Sequence, residues 1–136
     1  MVGRTKDVGW NVGVRKTVRY PVERVWNLLT GPAGLPLWLG SGVDFSAGAA
    51  KGDRYETAEG TVGEIRSFHA GYRVRLTWCP ADWTHDTTLQ LTLIEAASGT
   101  TVAVHQEWLA DADERERQRT HWQAVVQQIG AALTRH

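Results

Sequence analysis

His105-Gln106-Glu107 sets an imidazole and a carboxylate two residues apart. On a strand, that spacing puts both on one face, about 7 Å apart at the backbone. Such a pair is the raw material of a general base or of half a metal site. Two ligands are too few for a closed zinc site, and no third Cys, His or acid stands at convincing spacing. The pair therefore reads as part of a solvated outer face. His85 and Asp86, in "ADWTHDT", fall in a loop before a strand, where turn chemistry is the commoner role. Cys79 precedes Pro80 at a strand end with no suitably spaced His to activate it, and it reads as structural. The chain carries no phosphate-binding loop, no serine elbow and no zinc-protease motif. An enzyme built on it would have to enclose a substrate and place a few polar groups around it. No catalytic residue, metal ligand set or cofactor is assigned.

The other chemistry on offer is aromatic. Seven tryptophans in 136 residues is a high share. Indoles are large and costly to leave exposed, so they line a core, a pocket or an interface. Trp38 stands apart because "LLTGPAGLPLWLG" stops a helix at Gly31-Pro32 and restarts the chain before Leu37-Trp38-Leu39. That break suits the rim of a hydrophobic pocket. Gln106 lies in the apolar phase of its strand, and a buried amide needs partners: a neighbouring side chain, a water or a ligand oxygen.

The elements that must position these residues are legible from periodicity. Residues 12–20 place Val12, Val14, Val18 and Tyr20 in one strand phase, interrupted by Lys16. Pro21 suits the first helical turn, and Val22, Val25, Trp26 and Leu29 recur at helical spacing. A short helix or turn follows over about 33–39. The period then becomes two. Residues 52–58 and 60–70 form a hairpin turning near Glu59-Gly60. Residues 72–78 put Tyr72, Val74, Leu76 and Trp78 on one face, and 87–96 do the same with Leu89, Leu91 and Leu93. After a Ser98-Gly99 turn, 100–109 align Val102, Val104, Gln106 and Trp108. Asp111 with Glu114 makes an Asp variant of the capping box, opening an amphipathic helix of about 20 residues. Its apolar stripe is Trp122, Val125, Val126, Ile129 and Leu133. The charged run 111–119 reads as a helix start laced with ion pairs such as Asp113 with Arg117, rather than as a binding patch.

A chain of this length fits one domain, 1–136, with 1–10 a flexible arm before the first strand. Helices segregated to one side of an antiparallel sheet make the class α+β. The 15 basic and 15 acidic residues balance, which argues against a nucleic-acid partner or an anionic membrane surface. No apolar run reaches the roughly 20 residues of a membrane span, so no stable insertion is expected. A single cysteine cannot form an internal disulfide and suits a cytoplasmic setting.

The element order, "VERVWNLLTGPAGLPLWLG", "GDRY" and "GTVGEI" together resemble the START-like helix-grip superfamily, also called SRPBCC or Bet v-like. The nearest resemblance is to the Aha-type activators of the heat-shock chaperone ATPase. Val25-Trp26, Leu29-Thr30, Trp38-Leu39, Thr77-Trp78, Gly99-Thr100 and Trp122 take that pattern's places, over about residues 12–134. The chain departs from the pattern at Leu39, at the Ser67–Gly71 turn, and at Gln106, where the last strand's usual His stands one place out of phase as His105. No His-based role is carried over.

The resemblance implies a curved sheet of six or seven strands gripping the terminal helix, with a cavity between them that often holds an apolar ligand. Trp26, Trp38, Tyr55, Trp78, Trp83, Gln106 and Trp122 are the ligand-binding candidates, with loops 31–40 and 80–86 as the gate. Each indole has a competing role as plain core, and Trp83 either covers the mouth or plugs an edge. The resemblance leaves three functional classes open, since the superfamily includes carriers, co-chaperones and cyclases. These are a carrier of a small apolar or lipid-like molecule, a chaperone-associated interaction domain, and a cyclase- or hydrolase-like enzyme. The carrier is the lead reading.

Overall fold

The computed structural model describes residues 3–135; Met1, Val2 and His136 lie outside the described residues. Its strands are β1 (Arg4–Thr5), β2 (Gly9–Val18), β3 (Arg54–Glu56), β4 (Val62–His69), β5 (Arg73–Trp78), β6 (Thr87–Ala96) and β7 (Gly99–Leu109). They form one antiparallel sheet in the order β1-β2-β7-β6-β5-β4-β3. Helices α1 (Val22–Thr30) and α2 (Leu35–Trp38) fill the excursion between β2 and β3. Helix α3 (Ala112–Arg135) lies against β2 and β7. This is the α+β helix-grip arrangement, with seven strands.

Alternation decides which side chains face α3. Val74, Leu76 and Trp78 on β5, Leu89, Leu91 and Leu93 on β6, and Val102 and Val104 on β7 are all buried. Trp122, Val125, Val126, Ile129 and Leu133 bury the facing stripe of α3. The α3 start is capped as its sequence requires. The Glu114 N–H donates to Asp111 Oδ1 at 2.8 Å, and Glu114 Oε1 accepts from the Ala110 N–H at 3.0 Å.

Four expectations need correction. Residues 4–5 and 9–10, expected in a loose arm, pair as a hairpin (Arg4 with Trp10, Thr5 with Gly9) around the turn 6–8, with Gly9 at φ 61° where β2 begins. The Met1–Val2 part of that arm lies outside the described residues. Tyr72 is exposed, because its N–H closes a turn onto His69 O before β5 begins. The expected Asp113–Arg117 pair does not form among the described residues; Glu116 instead meets Arg115 at 2.9 Å and Arg119 at 3.9 Å. Such exposed pairs are worth little, so nothing enforces one choice.

The fourth correction is Trp108. The pairing of β2 with β7 slips between Trp10 and Val12, opposing Asn11 with the two residues Glu107 and Trp108. At this bulge Trp108 takes φ 64°, a conformation costly for a bulky side chain. Its ring turns out of the core, 50% exposed, and Leu109 takes the inner position, 4% exposed.

Gly63 shows how tightly β4 is fitted. A Cβ there would strike the Thr77 carbonyl oxygen and sit 2.6 Å from the Tyr55 ring and hydroxyl. Gly63→Ala is therefore expected to lower stability by about 3 kcal/mol, as overpacking against rigid backbone does, read from the urea midpoint.

Candidate functional site

Where the first turns of α3 cross the sheet, the core changes from aliphatic to aromatic and polar. Gln106 on β7 is fully buried. Its Nε2 donates to Thr87 Oγ1 at 2.9 Å, and its Oε1 accepts from Trp122 Nε1 at 2.8 Å and from Gln118 Nε2 at 3.1 Å. Thr87 passes the chain on, its hydroxyl donating to the Trp78 carbonyl at 2.9 Å. The partner of Gln106 is thus a set of neighbouring side chains.

Around this amide stand three indoles. The Trp78 and Trp122 rings lie 5.8 Å apart, and Trp83 meets Trp78 edge-on at 5.3 Å. Trp83 belongs to the 79–86 loop between β5 and β6 and stacks on His85 at 4.9 Å with the rings 13° from parallel. His85 Nε2 lies 2.7 Å from Glu114 Oε1, which ties this loop to the start of α3. Trp78 is 7% exposed, and its Nε1–H has no partner among the described residues.

Four of the seven candidates, Trp78, Trp83, Gln106 and Trp122, therefore come together. Tyr55 joins them through the sheet, its hydroxyl donating to Thr77 O at 2.6 Å. Trp26 and Trp38 belong to another neighbourhood. Trp26 packs edge-on against Phe68 at 5.6 Å, and Phe68 in turn meets Phe45 at 5.6 Å. Trp38 is buried with its Nε1 donating to Leu29 O at 2.8 Å. The Gly-Pro break is what lets α2 fold the Trp38 ring back onto the end of α1. Two surface grooves lie apart from Trp78, Trp83 and Trp122. One of about 370 Å3 opens between the 42–49 loop and β3, beside Phe45, Tyr55 and Ile65. Another, of about 520 Å3, lies between α1 and the end of α3, beside Arg24, Leu28, Pro32 and Leu133.

Sequence reasoning missed Gln118, Glu114, Thr87 and His85 as members of this cluster. The two helical ones left a signal, since 114, 118 and 122 are four apart and continue the buried stripe toward its polar end. His85 and Thr87 left none, because their partners are distant in sequence. His105 and Glu107 do share the outer sheet face, with Nδ1 3.4 Å from Oε2. Glu107 is also bonded by Arg75 Nη2 at 2.6 Å and is buried. Cys79 sits with Sγ 3.5 Å from Trp83 O, and burial raises its thiol pKa, which suits a structural role.

A family model described as "Activator of Hsp90 ATPase homolog 1-like protein" matches residues 19–134. The chain belongs to that family. No curated protein matches it. Among solved structures it resembles DynU16, described as a putative protein in the dynemicin biosynthetic locus (22% identity, TM-score 0.74). That match covers 91% of this chain but only 47% of DynU16, so this chain spans about half of that protein. MLL2253 from Mesorhizobium loti is similar at 20% identity and TM-score 0.74, covering 92% of this chain and 97% of that one. CalU16 from Micromonospora echinospora is similar at 18% identity and TM-score 0.72, covering 88% and 71%. At these identities the structural matches show the helix-grip fold that the family shares, and only that. Among the described residues no helix is long and apolar enough to cross a membrane.

Tyr55 offers a check on the site's burial. Burial, then the nearby Asp86 carboxylate and Cys79, hold its phenol well above the usual tyrosine range. A phenol released by unfolding ionises first, so stability is intact below about pH 10 and declines as pH rises beyond it. Urea midpoints measured from pH 8.5 to 11 are expected to fall, and the Tyr55→Phe variant is expected to fall less steeply from a lower starting value.

Proposed function

We propose that this domain binds a small apolar or lipid-like molecule in the seam between the sheet and α3. The observation that carries the reading is the gathering of Trp78, Trp83 and Trp122 around a buried amide, beneath a loop that belongs to no strand. A plain core at this place would be served by aliphatic side chains, as the C-terminal half of α3 is. Beyond the Cys79–Val62 backbone bridge, the loop is tied outward chiefly by His85 with Glu114, so residues 80–86 can lift without breaking the sheet ladder. The segment 31–40, with Trp38 folded onto the end of α1, belongs to a separate neighbourhood and takes no part in this site. Burying an apolar ligand there gains ~25 cal/mol per Å2, before the cost of immobilising it. The description of DynU16 as part of a biosynthetic locus fits a fold used in the handling of small molecules.

The test is native mass spectrometry of protein purified from its own host, paired with tryptophan fluorescence titration against lipid-like and aromatic compounds. A retained small-molecule mass and saturable quenching are expected. A bare protein mass together with unchanged emission across the panel would remove the reading.

One observation favours a second reading, a protein-interaction role like that named in the family description. Trp108 is held outward at an unfavourable φ, half exposed, and packed beside Gly9 at the β1–β2 turn. Backbone strain that displays an aromatic ring is a common price of recognition. In this case the host's Hsp90-type chaperone is retained on the immobilised domain, and Trp108→Ala reduces retention at least about tenfold. No retention by the unaltered domain would remove this reading.

A further inference from the structure

Resting on the ligand-binding reading above, we propose that Trp83 is an internal stand-in for a flat, bicyclic aromatic ligand. That ligand carries one hydrogen-bond acceptor, a ketone or ether oxygen, which takes the N–H of Trp78.

The argument starts from an unequal treatment of buried indoles. Trp38 Nε1–H has Leu29 O, and Trp122 Nε1–H has Gln106 Oε1. Trp78 Nε1–H, also withdrawn from water, has no partner among the described residues. A buried donor left unpaired forfeits its bond to water and gains none in return. The neighbouring polar groups do not relieve it: Gln106 and Thr87 are bonded instead to each other, to Gln118, to Trp122 and to the Trp78 carbonyl.

The ring that covers Trp78 is Trp83, at 5.3 Å and 80°. Indole nitrogen is a donor only, so Trp83 offers at most its ring face, a second-order acceptor. Trp83 thus fills the space well and the chemistry badly. A ligand of the same flat outline with an oxygen at its edge would fill both. That difference is what can shift the loop from closed to open, since a ligand moves an equilibrium only by what it gains in one state over the other.

The loop is built to yield. Trp83 is half buried, its backbone N–H closes a local turn onto Pro80 O at 3.0 Å, and beyond the Cys79–Val62 bridge the outward tie is His85 to Glu114. The start of α3 has its own ties, the Ala110 N–H to Glu114 Oε1 and the Glu114 N–H to Asp111 Oδ1, neither of which involves His85, so lifting the loop leaves the helix cap in place.

The experiment uses two probes of one shape, 2-acetylnaphthalene and 2-ethylnaphthalene, and reads the indole N–H resonances of the 15N-labelled chain. The ketone is expected to move the Trp78 N–H resonance downfield, and the hydrocarbon is not; both shift Trp83. Trp78→Phe keeps a ring and removes the donor. It should weaken the ketone about fivefold and leave the hydrocarbon within about twofold. His85→Ala should tighten both probes. Equal binding of the two probes with Trp78 unmoved would overturn the acceptor assignment and leave the ligand-binding reading standing. Binding that leaves the Trp83 resonance in place would overturn the stand-in role. Failure of both probes to bind either the unaltered chain or His85→Ala would remove this inference and the ligand-binding reading for aromatic molecules together. The resonance shifts are read on the unaltered chain, so the result does not depend on how well a variant folds.

Discussion

The Gln106 side chain is the constraint on which the upper half of the molecule depends. A fully buried amide has to be satisfied on both ends, and only one arrangement here does so. Its oxygen fixes the azimuth of α3 through Trp122 and Gln118, and its nitrogen fixes the start of β6 through Thr87. Aliphatic packing alone would tolerate a helix that slides or rotates by a fraction of a turn. The amide does not. Because β7 carries it and β7 pairs with β2 and β6, the registers of three central strands and the pitch of the helix are tied together.

Much of the fold could be read before any coordinates, and particular residues show why. Leu89, Leu91 and Leu93 alternate cleanly, and a shift of one residue would put all three into water. The stripe from Trp122 to Leu133 allows only one face of α3 to be buried. Asp111 and Glu114 announced the cap because a cap is a local event. Trp108 misled for the opposite reason. Its outward turn depends on a slip against Asn11, about a hundred residues away, and no local pattern reports it. The same holds in the cluster: Gln106 was visible as a polar residue out of place, whereas the meeting of His85 with Glu114 depends on how the 79–86 loop lands. Tyr55 and Trp26 were legible as inward-facing aromatics, the one buried and the other partly so, but their neighbourhoods were not.

The molecule divides its labour along α3. Its second half buries Val125, Val126, Ile129 and Leu133 against the sheet and supplies cohesion. Its first half presents Glu114, Gln118 and Trp122 and supplies discrimination, since amides, carboxylates and indole N–H groups accept few substitutes. A layer so divided can rearrange at one end while the other holds the fold, which is the usual condition for a binding site in a small domain.

The sheet ends in two very short strands, β1 with two residues and β3 with three. Each offers too little unpaired backbone to template a neighbour, and β1 carries Arg4 beside its few free amides. Exposure of aromatic surface by the loop opening proposed above would carry the risk of sticking to copies of the chain. Here any such association would have to proceed through side chains alone, without the ladder of backbone bonds that turns transient contact into a growing fibril.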